Sequence, residues 1–139
     1  MSEKRTIKRV GIVVKQYHDE ALRTAHELTE WLEKRGIDPT GGPYSETHSD
    51  HTFDPTVDLV VVLGGDGTMI STGRLVENFD PLVLGINYGS LGYLTEFSIE
   101  EMVPAVEMVI AGEYEIDHRV MLESFERIGR EVMPRIRAL

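Results

Sequence analysis

The chain has 139 residues, 41% hydrophobic and 27% charged, the proportions of one globular domain rather than of a disordered or membrane-embedded polymer. It contains no cysteine, which excludes disulfides, thiolate metal sites and thiol nucleophiles. With 14 basic and 24 acidic residues the formal charge is −10, a field that repels nucleic acid and obliges any anionic ligand to be held by a local device: backbone N–H groups, a helix N-terminus or a bridging cation.

No apolar run reaches the roughly 18 residues of a bilayer span, and the opening MSEKRTIKRV has no apolar segment behind its charges, so a cytoplasmic protein with no membrane partner is expected. The β-branched run from Ile7 to Val14 reads as a first buried strand. From Asp19 to Arg35 the apolar residues Ala21, Leu22, Ala25, Leu28, Trp31 and Leu32 recur at helical spacing, with Gly36 as the stop. Residues 36 to 56 are rich in turn formers and leave room for one short strand inside a mobile loop. Two further apolar runs, Val57 to Leu63 (broken only by Asp58) and Pro81 to Ile86, read as central strands covered on both faces, with a helix from about Met69 to Val76 between them. Ser98 starts a helix that closes at Gly112, and Pro104 falls about a turn and a half in, where a kink of the first turn is expected. Beyond it, Met121 to Arg127 and Val132 to Leu139 read as two strands flanking Gly129, outside the preceding βα rhythm.

The stretch DLVVVLGGDGTMIS ends a buried strand on Gly64, Gly65, Asp66, Gly67 and Thr68 just before a helix, the place where ligands bind in open α/β sheets. The glycines predict close backbone approach to a phosphate or ribose and positive φ, and the helix start offers free N–H donors. The spacing is neither GxxxxGK[ST] nor GxGxxG. Asp66 has two readings: it caps the helix, or it works on the ligand by holding Mg²⁺ or accepting a proton from an attacking hydroxyl. A second glycine-rich segment, Gly85 to Phe97, leaves the same sheet edge, so the two turns are expected to form a cleft. Tyr93 in it offers a flat face for a base, whereas ordinary packing is the plainer role for Tyr88, Tyr93 and Phe97.

GGDGT at 64–68 followed by GINYGSLGYLTEF at 85–97 resembles the paired motifs of NAD kinases, and the likeness runs along the whole chain to GEYEIDHRVML at 112–122. GGDGT alone is shared with diacylglycerol and sphingosine lipid kinases and, in related form, with phosphofructokinases; the second motif is the more specific. The resemblance implies an α/β fold: a Rossmann-like three-layer domain with a mostly parallel sheet over residues 1–117. Residues 118–139 would then be the first strands of a β-rich C-terminal domain, cut short. It implies phosphoryl transfer from ATP or polyphosphate to the 2′-hydroxyl of the adenosine ribose of NAD, assisted by Mg²⁺ or another divalent cation, in a homo-oligomer. Asp66 matches the family's catalytic aspartate, with Gly65, Gly67 and Thr68 forming the turn around it. Asn87 and Tyr93 fall where the family lines the NAD site, Tyr93 in place of the usual phenylalanine. A carboxylate is a far weaker base than an alkoxide, so positioning and late proton acceptance are expected of Asp66.

Arg74 reads as a solvated residue rather than a phosphate ligand, and His48, Asp50, His51 and Asp54 lie in a stretch without regular structure to fix a metal. No residue is assigned as a metal ligand. His18, His26 and His118 read as solvated or packing residues, and Glu100 and Glu101 as partners of a helix start. NAD kinases are about twice this long, and their second domain completes both nucleotide sites, so the 139 residues alone are expected to turn over little or no NAD. The trailing strands are expected to lack partners. Two other classes stay open: a non-catalytic nucleotide-binding or assembly module, and a piece of a lipid kinase.

Overall fold

The computed structural model describes residues 6–15, 18–40, 43–45, 56–76, 81–88, 97–117 and 135–138. Its centre is three parallel strands, β1 (Val10–Val14), β3 (Leu59–Gly64) and β4 (Leu82–Asn87), in which every residue is buried. Burial on both sides is why these strands read as continuous apolar runs rather than alternating ones. Val10 pairs with Leu59, and Leu59 with Leu82, so the three strands run in step. β2 (Pro43–Ser45) adds in parallel outside β1, and the order across the sheet is β2-β1-β3-β4, followed by β7 (Arg135–Ala138) and β6 (Tyr114–Asp117), while the two-residue β5 (Phe97–Ser98) pairs in parallel with the end of β4.

Alternate residues of the strands enter two separate cores. Val10, Ile12, Val14, Leu59, Val61, Leu63, Leu82, Leu84 and Ile86 pack against α1 (Asp19–Lys34) and α3 (Met102–Ile110). Val13, Val60, Val62 and Val83 face the other way, onto Met69 and Val76 of α2 (Asp66–Leu75) and its C-cap. The result is the expected three-layer α/β arrangement, with α1 and α3 on one face and α2 on the other.

The helix limits follow from their caps. Nδ1 of His18 accepts the Ala21 N–H at 3.0 Å, which gives α1 an N-cap, and Gly36 at φ +76° lets the chain leave it. Arg35 at its end lies over the Trp31 ring, 4.1 Å from the centroid, and reaches Glu107 of α3 at 3.0 Å. Ser98 and Glu101 form a capping box: the Ser98 N–H and hydroxyl both donate to Glu101 Oε1, at 2.8 and 3.1 Å. A single 3-10 turn, Ile99–Glu101, precedes α3, and Pro104 falls in the first turn of α3, where an N–H has no partner within the helix. Asp58, the charge in the second apolar run, sits just before β3. Its Oδ2 accepts the Lys8 and Arg9 N–H groups at 2.9 and 3.0 Å, tying the two strand starts together.

Three expectations change. α2 begins at Asp66, three residues ahead of the anticipated start, because Gly65 and not a later residue is its N-cap. β3 and β4 each extend one residue further, to Gly64 and Asn87. The trailing segment has partners: Arg135–Ala138 pairs antiparallel with Tyr114–Asp117, and Arg135 pairs in parallel with Val83, which satisfies backbone groups that an edge would leave open. The strand anticipated at 121–127 lies outside the described residues.

Candidate functional site

β1, β3 and β4 end together. The Lys15 N–H donates to Leu63 O at 3.0 Å, Gly64 pairs with Asn87, and the Tyr88 N–H donates to Gly64 O at 3.1 Å. The sequence reading placed a cleft between the turns after the second and third of these strands; the pairing of Gly64 with Asn87 sets the points where those turns start side by side, and residues 89–96 lie outside the described residues. The strand order adds the end of β1. Chain order reverses at the β1/β3 boundary, and α1 and α2 leave on opposite faces, so the crevice opens outside the carboxyl ends of β1 and β3.

Of the sequence-predicted residues, Gly65, Asp66, Gly67 and Thr68 form the N-cap and first turn of α2. The Gly65 N–H lies 3.5 Å from Thr68 Oγ1, and the Thr72 hydroxyl donates to Thr68 O at 2.8 Å, so Thr68 is a buried structural pin as well as part of the turn. Asp66 is partly buried at the first helical position, where a carboxylate also gains from the helix dipole. The helix N-cap is Gly65, so the capping reading of Asp66 is replaced by a place inside the first turn.

The glycines of the turn do not have positive φ, and close packing calls for glycine only at Gly64. Gly65 is extended at φ −139°, and among described glycines only Gly36 and Gly112 have positive φ. A Cβ on Gly64 would lie 2.8 Å from Thr68 Cβ and closer still to its Oγ1. On Gly65 it would lie 3.7 Å from Asn87 Oδ1, an ordinary contact that fixes how near the Asn87 amide stands to the turn. On Gly67 it would meet nothing within 4 Å among the described residues, which therefore do not require glycine there.

Asn87 is 4% exposed, at the end of β4 and on the same face of the sheet as Val83 and α2. Tyr88, the next residue, turns to the opposite layer. Its hydroxyl donates to Glu20 O at 3.2 Å and bonds Thr24 Oγ1, and its ring lies 4.8 Å from the His18 ring. Burial pushes the Tyr88 phenol above its usual range, against the Thr24 hydrogen bond, with Glu20 and Glu27 adding to the rise. Packing is thus the role of Tyr88, and Phe97 likewise packs against the larger core. Sequence reading missed how Tyr88 locks the turn after β4 to the start of α1; an aromatic residue directly after the strand was the available signal.

Arg74 is exposed near the far end of α2, as the solvated reading expected. Tyr93, the cluster His48, Asp50, His51 and Asp54, and His118 lie outside the described residues. Among the described residues no group of three or more His, Asp or Glu side chains could hold a metal, and no helix is long and apolar enough to cross a membrane.

The fold resembles that in the crystal structure of yeast NADH kinase complexed with NADH, with a TM-score of 0.51 and 21% identity over 80% of this chain and 38% of that one. The chain is 41% identical over 134 residues to the NAD kinase of Geotalea daltonii and 39% identical over 137 residues to that of Citrifermentans bemidjiense, in each case over 91% of its own length. It spans about half of these relatives, 47% and 48%. The family model of the ATP-NAD kinase N-terminal domain matches residues 38–114, which include β3, α2, β4 and both turns of the crevice. With more than half of its length matched, the chain belongs to the ATP-NAD kinase family as a member of its N-terminal domain.

Proposed function

We propose that the protein carrying this chain phosphorylates the 2′-hydroxyl of the adenosine ribose of NAD, using ATP or polyphosphate, and so makes NADP. The observation that carries the reading is the position of Asp66. It stands in the first turn of α2 between Gly65 and the open face of Gly67, with the buried amide of Asn87 on its β4 side. The relatives named NAD kinase supply the reaction class.

In this reading Gly65, Asp66, Gly67, Thr68 and Asn87 bind NAD, and Tyr93 joins them beside the adenine. Asp66 orients the 2′-hydroxyl. The hydroxyl oxygen bonds to the terminal phosphorus of the donor while the bond from that phosphorus to its bridging oxygen breaks. Asp66 takes the hydroxyl proton late and passes it to water. Such a loose transfer asks the protein mainly for positioning and charge stabilisation. A divalent cation such as Mg²⁺ would neutralise donor phosphate charge. It ordinarily keeps several waters and takes one or two carboxylates plus substrate phosphates, a demand the single Asp66 carboxylate at the turn fits.

We further propose a first domain over residues 1–117, a β-rich second domain beginning at 118, a cytoplasmic homo-oligomer, and neither nucleic acid nor membrane as partner. The charge of −10 supports the exclusion of nucleic acid. The test is NADP formation from NAD and Mg·ATP by the 139-residue chain and by a version carrying the further half that its relatives have. NADP in the longer version, lost in Asp66→Asn, is the expected result. No NADP from either overturns the catalytic reading in favour of a nucleotide-binding module.

A further inference from the structure

The strand order brings one more chemically active residue to the crevice. β1 contributes Val13 to the α2 face of the sheet and Val14 to the α1 face, so the next residue, Lys15, emerges on the α2 face. On β3 the same alternation puts Val62 and then Gly64 on that face, and on β4 Val83 and then Asn87. Lys15 lies beside Gly64 through its hydrogen bond to Leu63 O, and Gly64 pairs with Asn87. Lys15, Gly64 and Asn87 therefore form a row across three strands at the carboxyl edge, with Asp66 and Gly67 directly after its middle member.

Lys15 is exposed, and no ion pair or side-chain hydrogen bond ties its ammonium to the described residues. The other described lysines and arginines are elsewhere: Lys8 and Arg9 precede β1, Arg23 rides on α1, Lys34 and Arg35 end α1, Arg74 is near the end of α2, and Arg135 and Arg137 lie on β7, on the far side of β4 from β1. In a chain of charge −10, a cation beside the glycine turn is the local device that an anionic ligand needs.

We propose that Lys15 is a donor-binding residue: its ammonium holds the phosphate chain of the phosphoryl donor on the β1 side of Asp66, opposite the NAD site on the Asn87 side. This rests on the kinase reading above. An in-line transfer puts acceptor and leaving group on opposite sides of the moving phosphoryl group, so with Asn87 on the acceptor side the opposite flank of Asp66 belongs to the donor. Charge that grows on the departing phosphate then meets a fixed cation.

The test uses the full-length protein, with inorganic tripolyphosphate as the probe in calorimetric titration and donor and acceptor KM measured separately. Lys15→Gln is expected to weaken tripolyphosphate and raise the KM for ATP about 10- to 100-fold, the loss typical of a charge-assisted contact. Lys15→Arg should keep most of the affinity, and the KM for NAD and the melting temperature should not move. Unchanged tripolyphosphate affinity in Lys15→Gln overturns the proposal, as does a change confined to NAD or a wild-type protein that binds no tripolyphosphate. If wild type makes no NADP, the kinase reading fails, and the titration still decides whether Lys15 holds a phosphate chain.

Discussion

Thr68 occupies the space above Gly64: a Cβ on the glycine would lie 2.8 Å from Thr68 Cβ. The last residue of β3 and the first turn of α2 are thus fitted face to face, and Gly64 and Gly67 answer to different demands. Gly64→Ala should lose about 1–3 kcal/mol of stability, as overpacking at a well-filled position does, because Thr68 is 3% exposed and hydrogen-bonded at both ends. Urea denaturation checks it, and a neutral result would mean that the turn opens freely.

Gly67→Ala should behave in the opposite way. None of the described residues lies within 4 Å of the added methyl, and alanine favours a helix over glycine by up to about 1 kcal/mol. Stability should hold or rise, while kcat/KM for NADP formation falls because the methyl enters the face that we assign to the ribose. A variant with full activity would remove Gly67 from the site.

For Asp66→Asn the two roles of the carboxylate separate by size. Loss of a dipole interaction at the helix start costs roughly 0.3–1 kcal/mol of stability. Loss of a proton acceptor in the reaction costs about 10²–10⁴ in kcat. Activity and melting curves measured on one preparation distinguish them, and a kcat that follows stability alone would leave Asp66 a helix residue.

Tyr88 gives a pH dependence. Its phenol is raised above 10.0 chiefly by burial, so the folded state favours the protonated form. That contribution to stability is fully present below the unfolded value and is lost as pH rises from there through the folded pKa. Stability measured between about pH 9 and 12 should fall, and less steeply in Tyr88→Phe. At neutral pH that variant loses the hydroxyl bonds to Thr24 and Glu20, a cost of about 1 kcal/mol. An identical alkaline slope in both proteins would contradict the assignment.

His18→Ala removes both the cap of α1 and the ring beside Tyr88, and should cost about 1 kcal/mol, with His18→Asn restoring most of it. Amide exchange at Ala21 reports the cap directly. Unchanged protection there would mean that the helix start does not depend on His18.

The sequence alone determined what depends on local spacing. The helical spacing from Asp19 to Arg35, the stop at Gly36, the helix start at Ser98 and the three buried strands are legible because each is dictated by neighbouring residues and by burial on one or two faces. The paired glycine motifs were equally legible, since a turn between a strand and a helix has few solutions. The start of α2 was misplaced because its N-cap is a glycine that offers no side chain as a signal. Only the tertiary structure decided what depends on strand order: that β1 lies next to β3, that Lys15, Gly64 and Asn87 share one face at one edge, and that Arg135–Ala138 finds partners in Val83 and β6. These are contacts between residues far apart in the chain. Their geometry comes from which apolar faces pack together, and periodicity along a single segment carries no record of that choice.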